Sequence, residues 1–210
     1  VNAGFFVSFE GIDGSGKSTQ ARLLHDHLAS IGHEAVLTRE PGGSPGAEEI
    51  RALVLNGAQD RWSPETELLL FTAARRDHLE RTVRPALEAG RIVICDRFAD
   101  STRMYQGLRG TGLRARVDAL HDLMIGQEPD LTVLIDIDAE IGLARALERG
   151  GEGRFEAFGA DMQAQMRAGF LALAEEFADR FAVIDGARDA NAVAADVRTT
   201  VMARIEARAA

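Results

Sequence analysis

Lysine is almost absent from this chain: of 24 basic residues in 210, every one but Lys17 is arginine. A composition that has drifted so far toward the planar guanidinium has kept one compact, mobile ammonium, and it lies inside a glycine-rich run. Cysteine is equally scarce. The lone Cys95 excludes an internal disulfide and a cysteine-based zinc site, which fits a reducing compartment, and the cytoplasm is the expected location. No apolar run approaches the length of a membrane span and no signal-peptide pattern is seen, so no membrane association is expected. Basic charge is in deficit too: the net charge of -9 argues against a non-specific grip on nucleic acid, which needs a dense basic surface to displace counterions. Any anionic ligand must meet positive charge gathered locally.

What is present suits one folded domain spanning 1–210, since 46% hydrophobic residues are too many for a disordered chain. Short apolar runs alternate with longer amphipathic stretches, the pattern of crossover units that build a parallel sheet covered by helices on both faces. The expected class is α/β. Strands are expected at Phe5 to Phe9, Ala35 to Thr38, Ile92 to Cys95, Leu131 to Ile137 and Ala182 to Ile184. Helices are expected at about Lys17 to Ile31, Gly46 to Leu55, Pro64 to Arg81, Thr82 to Ala89, Thr102 to Gly107, Leu113 to Ile125, Ala139 to Arg149, Ala160 to Arg180 and Ala190 to Arg208. Ser63 before Pro64 offers an N-cap, and Thr82 before Pro85 a second one, so that stretch reads as two helices.

The run Gly11, Ile12, Asp13, Gly14, Ser15, Gly16, Lys17, Ser18 follows an apolar strand and precedes an amphipathic helix, the context a phosphate-binding loop requires. Glycines let backbone N–H groups turn inward at the positive end of a helix. Lys17 then reaches the β- and γ-phosphates of a nucleoside triphosphate, and Ser18, with Thr19 beside it, faces magnesium. A second apolar strand ends in Asp96 and runs straight into Arg97. In open α/β sheets ligands bind at the carboxyl ends of strands, so Asp96 is expected to face the crevice of Lys17 and hold Mg²⁺ directly or through water. Asp136 ends a neighbouring strand and reads as structural.

Blocks along nearly the whole chain resemble bacterial thymidylate kinases: FEGIDGSGKST (Phe9 to Thr19), TREPGG (Thr38 to Gly43), LLLFTAARRDH (Leu68 to His78), DRF (Asp96 to Phe98), ADSTRMYQG (Ala99 to Gly107), PDLTVLIDID (Pro129 to Asp138) and GRFE (Gly153 to Glu156). The resemblance implies a three-layer nucleoside monophosphate kinase fold with strand order 2-3-1-4-5, ATP as phosphoryl donor with Mg²⁺, dTMP as acceptor, and a homodimer. Phe71 and Arg75 are four apart, so on a helix they share a face, a flat ring beside a guanidinium; a core Phe with a solvated Arg is the alternative. By resemblance, Phe71 stacks on thymine and Arg75 bonds its edge. Thr102, with Ser101 and Gln106 nearby, faces the base, and Tyr105 packs under the sugar. Without the family, the single tyrosine reads as amphipathic packing. Arg39 and Glu40 of the TREPGG turn belong to the acceptor site, Arg97 bridges acceptor and donor phosphates, and Asp13 contacts the acceptor's 3′-hydroxyl or its magnesium shell.

Phosphoryl transfer depends on positioning and charge neutralisation, which makes the arginines decisive. Asp13, Gly14 and Ser15 put none in the phosphate loop, so the resemblance assigns catalysis to Lys17, Asp13 and Arg97 together with Arg149 and Arg154 of a mobile lid at about 146–158. Arg145, a turn earlier, belongs to the lid or complements the helix dipole. Phe98 stands where relatives commonly carry tyrosine or histidine, and Arg103 where they often have glutamine. A deoxynucleoside kinase would need a catalytic base and no arginines for an acceptor phosphate. A GTPase switch would need an Asn-Lys-x-Asp string, which a chain with one lysine cannot have.

Overall fold

The computed structural model describes residues 4–58, 60–148 and 160–209. Five parallel strands, β1 (Phe5–Glu10), β2 (Ala35–Arg39), β3 (Ile92–Asp96), β4 (Leu131–Asp136) and β5 (Phe181–Asp185), lie in the order β2-β3-β1-β4-β5. The order matches the expectation. The helices are α1 (Lys17–Ser30), α2 (Pro45–Leu55), α3 (Pro64–His78), α4 (Arg84–Glu88), α5 (Ala99–Tyr105), α6 (Leu113–Met124), α7 (Ala139–Glu148), α8 (Ala160–Glu176) and α9 (Ala190–Ala209).

Side chains on a strand alternate between faces, and β1 divides its residues accordingly. Phe5, Val7 and Phe9 pack with Leu24 and Leu28 of α1 and Val193, Val197 and Val201 of α9. Phe6 points the other way, to Leu79, Val83, Ala86, Phe98 and Ile125. Helices therefore cover both faces, and burying a ring such as Phe6 or Phe9 stabilises by roughly 1.5–3 kcal/mol each. On the second face, Ser8 and Thr132 pair hydroxyl to hydroxyl at 3.0 Å, and Glu10 follows them under α5.

Several helix boundaries differ from expectation, and three of the differences have a physical reason. The stretch from Pro64 to Glu88 does not break at Thr82. It runs through one π turn, Leu79–Val83, and the Thr82 hydroxyl donates to the Gly43 carbonyl instead of capping a helix. Pro85 has no N–H to give, and widening the turn before it keeps the chain helical. Ser63 does cap α3, accepting from the Thr66 N–H. Helix α5 begins at Ala99, three residues early, because its cap comes from a distant strand: Glu10 accepts the N–H groups of Phe98 and Ser101 at 2.7 and 3.2 Å. Helix α8 stops at Glu176, and Arg180 leaves it to bond Asp100 through both guanidinium ends at 2.7 and 2.8 Å.

Candidate functional site

The carboxyl ends of β1, β2 and β3 open into one cavity of about 400 Å³, lined at one end by Lys17 and Ser18 and at the other by Phe71, Arg75 and Gln106. The loop after β1 needs its glycines. At Gly14, with φ of +81°, a Cβ would stand 1.9 Å from the Gly142 carbonyl oxygen, and Gly16, at φ of +95°, is the left-handed residue that starts α1. Lys17 is buried and donates to the Ile12 carbonyl at 2.9 Å. Burial and the nearby Arg97 charge push its ammonium pKa down to about 8, against the pull of Asp13, Asp96 and Glu10.

Arg97 closes the floor between the two ends. It is the described non-glycine residue with positive φ, 72°, a left-handed conformation that costs roughly 1–2 kcal/mol and is held here by the surrounding bonds. Its Nη2 donates to Asp13 Oδ1 at 2.5 Å and Tyr105 Oη at 3.1 Å, and its Nη1 to Ser101 Oγ at 2.9 Å. Tyr105 in turn donates to Asp13 Oδ2 at 3.0 Å. Burial alone would raise the Asp13 pKa, but Arg97, Lys17 and these hydrogen bonds outweigh it and hold the carboxyl below its usual range. Burial raises the Tyr105 phenol, which stays protonated.

At the other end, α3 turns a stripe of side chains inward: Glu67, Phe71, Arg75 and His78, spaced as one helix face. Arg75 Nε donates to Glu40 Oε2 at 2.7 Å, and its Nη2 to the Phe98 carbonyl and Thr102 Oγ1. His78 Nδ1 meets the other Glu40 oxygen at 2.9 Å, and its Nε2 meets the Thr38 hydroxyl at 2.7 Å. Burial would raise the Glu40 pKa, yet Arg75 and His78 keep it lowered. The Phe71 and Arg75 alternative of a solvated arginine is thereby removed, since Arg75 is 5% exposed. Arg39 and Arg51 line the cavity between the ends, the first bonded to Glu48 and the second to the Pro41 carbonyl.

A sequence model of the family described as thymidylate kinase matches residues 9–197. The chain belongs to the thymidylate kinase family. It is 68% identical over 203 residues to the thymidylate kinase of Ruegeria pomeroyi, covering 96% of each, and 65% identical over 195 residues to that of Dinoroseobacter shibae, covering 92% of this chain and 94% of the other. A crystal structure of thymidylate kinase from Ehrlichia chaffeensis superposes with a TM-score of 0.77 at 36% identity, over 95% of this chain and 99% of that one.

Of the residues expected from sequence, the one cavity collects Asp13, Gly14, Gly16, Lys17, Ser18, Arg39, Glu40, Phe71, Arg75, Asp96, Arg97, Ser101, Thr102, Tyr105 and Gln106. Gly11 and Ile12 form the loop backbone behind it, accepting from Arg97 and Lys17. Ser15 and Thr19 line a neighbouring cavity of about 310 Å³ with Arg145, Gly186 and Arg188. Arg149 and Arg154 lie outside the described residues, as does most of the expected lid. Asp136 is structural, bonded to both ends of Arg167 at 2.8 and 2.9 Å. Phe98 lies edge-on to Phe6 at 4.9 Å in the core, and the buried Arg103 turns away from the cavity to pair with buried Asp100 and half-buried Asp118 and Glu128. Sequence reasoning missed Glu67, Arg51 and His78. The spacing of Glu67 and His78 to Phe71 and Arg75 was the signal that would have found two of them.

Proposed function

We infer that the chain works as a thymidylate kinase, moving the γ-phosphoryl group of ATP to dTMP to give ADP and dTDP. The observation that carries this is one continuous cavity with a phosphate loop at one end, a ring and guanidinium at the other, and Arg97 on the floor between them. In this assignment Lys17 and the loop N–H groups hold the β- and γ-phosphates. Arg97, anchored by Asp13, bridges donor and acceptor phosphates, with Arg39 reaching the acceptor. Phe71 stacks on thymine, Arg75 donates to its edge beside Thr102 and Ser101, and Tyr105 lies under the sugar. The acceptor is already a phosphate, so the site needs charge neutralisation and alignment and no catalytic base.

The donor set fits a magnesium ion. Asp96 Oδ1 is buried with no hydrogen-bond partner among the described residues, and the exposed Ser18 hydroxyl opens into the same cavity. Asp96 and Ser18 would hold the ion, directly or through water, and Mg²⁺ would supply charge neutralisation on the phosphate oxygens. The neighbouring cavity with Gly186 and Arg188 suits the adenine end of ATP. Closure of a lid carrying Arg149 and Arg154 would complete the positive surround and exclude water. The homodimer belongs to the same proposal, supported by exposed Leu69 on α3 and Leu123 and Met124 on α6, helices that pack together. So does the cytoplasmic location; no described helix is long and apolar enough to cross a membrane.

A coupled ADP-release assay across dTMP, dUMP, dCMP, dGMP and thymidine tests the assignment. Highest kcat/KM is expected with dTMP. Better turnover of thymidine would move the chain to the deoxynucleoside kinases, and better turnover of dGMP would overturn the base site.

A further inference from the structure

A ring and a guanidinium donor read only part of a pyrimidine's edge. Gln106 supplies what they lack. It is 1% exposed and lines the cavity beside Phe71, Arg75 and Thr102. Its Nε2 donates to Glu67 Oε1 at 3.0 Å, and Glu67, fully buried, also accepts from Arg109 at 2.8 Å on each carboxylate oxygen. Both Glu67 oxygens accept from N–H donors, so Glu67 meets the amide at its NH₂ end. The Gln106 carbonyl is then the end left for a ligand.

Arg75 is committed in a similar way. Its Nε is taken by Glu40 and its Nη2 by Phe98 and Thr102, which leaves Nη1. One fixed acceptor and one fixed donor in a ring-walled cavity match the adjacent N3–H and O4 of a 4-oxopyrimidine. A 4-aminopyrimidine presents the reverse: its N3 lone pair would face the Gln106 carbonyl and its amino group would face Arg75. Rotating the amide to suit it would drive the Gln106 oxygen against the Glu67 carboxylate, and both residues are buried away from bulk solvent.

We propose that Glu67 is a positioning residue that sets the choice of a 4-oxopyrimidine over a 4-aminopyrimidine, by holding the Gln106 amide with its carbonyl toward the base. This rests on the cavity being the dTMP site. It adds a specificity element contributed from α3, one turn before Phe71, by a residue that does not itself touch the nucleotide.

The experiment is steady-state kcat/KM for dTMP and for dCMP in wild type, Glu67→Gln, Glu67→Asp and Gln106→Met. Glutamine at 67 can donate or accept, so either orientation of Gln106 is satisfied and the dTMP:dCMP preference should fall by roughly tenfold or more, mainly through KM. Aspartate keeps the charge opposite Arg109 but is one methylene too short to reach Gln106, and should lower the preference without unfolding the chain. Gln106→Met leaves the Glu67 and Arg109 pair intact and should lower it too. If the Glu67 variants slow both nucleotides by one common factor, Glu67 is merely structural and the proposal fails. Retention of full preference by Gln106→Met would overturn it as well. A wild type that ignores dTMP would instead remove the assignment of the cavity, so the two failures are distinguishable.

Discussion

Arg97 Nη2 and Asp13 Oδ1 are 2.5 Å apart, so the arginine on the cavity floor is tied to the acid inside the phosphate loop. Under the proposed assignment the pair gives the carboxylate of the phosphate loop a role. Asp13 brings no charge relief to a triphosphate, but it aims the guanidinium whose Nη1 is held by Ser101 from α5. Replacing Arg97 with alanine should lower kcat by about 10²–10³-fold, the usual loss when a fixed donor to transition-state charge is removed. Asp13→Ala should cost about tenfold, because Arg97 keeps its bonds to Ser101 and Tyr105 but loses its aim. Initial rates at saturating ATP and dTMP measure both, and wild-type turnover in Arg97→Ala would rule out the bridging role.

Asp96 has a buried oxygen with no partner among the described residues, at the end of β3 and within the field of Lys17. A cation is the partner that would satisfy that oxygen. Chelating magnesium with EDTA should abolish turnover, and Asp96→Asn should raise the Mg²⁺ concentration for half-maximal activity by about tenfold, the usual scale for weakening one metal contact. The KM for dTMP should stay within twofold. An unchanged Mg²⁺ dependence in Asp96→Asn would assign the orphaned oxygen another role.

The sheet was legible because each strand is a short apolar run between turns, and the phosphate loop because its spacing and its place between strand and helix are both local. Phe71 and Arg75 were legible for the same reason, four apart on one helix. What local pattern does not carry is long-range. The cap of α5 comes from Glu10, 88 positions away from Phe98, and nothing at Phe98 itself announces a helix start. The Glu67 contact to Gln106 spans 39 positions, and the His78 contact to Glu40 spans 38. Such contacts depend on which elements the fold brings together, and local periodicity carries no information about them.

His78 touches no cavity atom in the proposed assignment, yet it holds Glu40, which holds Arg75. His78→Ala leaves the Glu40 oxygen unpaired in the interior, and the Thr38 hydroxyl with it. The expected outcome is a rise of about tenfold in the KM for dTMP with little change in the KM for ATP, together with roughly 1–3 kcal/mol of lost stability. Parallel kinetics and urea titration separate the effects. Equal rises in both KM values would mean the cluster supports the fold alone.

In sequence, Arg149 and Arg154 flank Gly150, Gly151 and Gly153, and the phosphate loop holds no arginine of its own. Under the lid proposal their charge is felt most when phosphoryl transfer is under way. Alanine at both should lower kcat by about 10³-fold or more while the ATP dissociation constant changes by less than tenfold. Single-turnover kinetics and direct ATP titration give the two numbers, and unchanged turnover would remove the lid from the mechanism.

Glu10 gives the fold a pH dependence with a definite sign. Burial, and then the Asp100 charge, push its pKa up from 4.5 to about 7, against the pull of Arg97 and the bonds from Ser101 and Phe98. The folded chain therefore keeps a proton there that the unfolded chain has released. Its contribution to stability is greatest below pH 4.5, falls as pH rises toward 7, and is flat above that. The loss across the window amounts to roughly 3 kcal/mol. Glu10→Gln carries no charge at any pH and can still accept the Phe98 and Ser101 N–H groups through its carbonyl. Its unfolding free energy relative to wild type should accordingly climb between pH 5 and pH 7.5, as read from urea midpoints for both proteins at each pH. Parallel pH dependences would mean that Glu10 ionises in the folded chain as it does in water, its charge fully stabilised by the start of α5 and by Arg97.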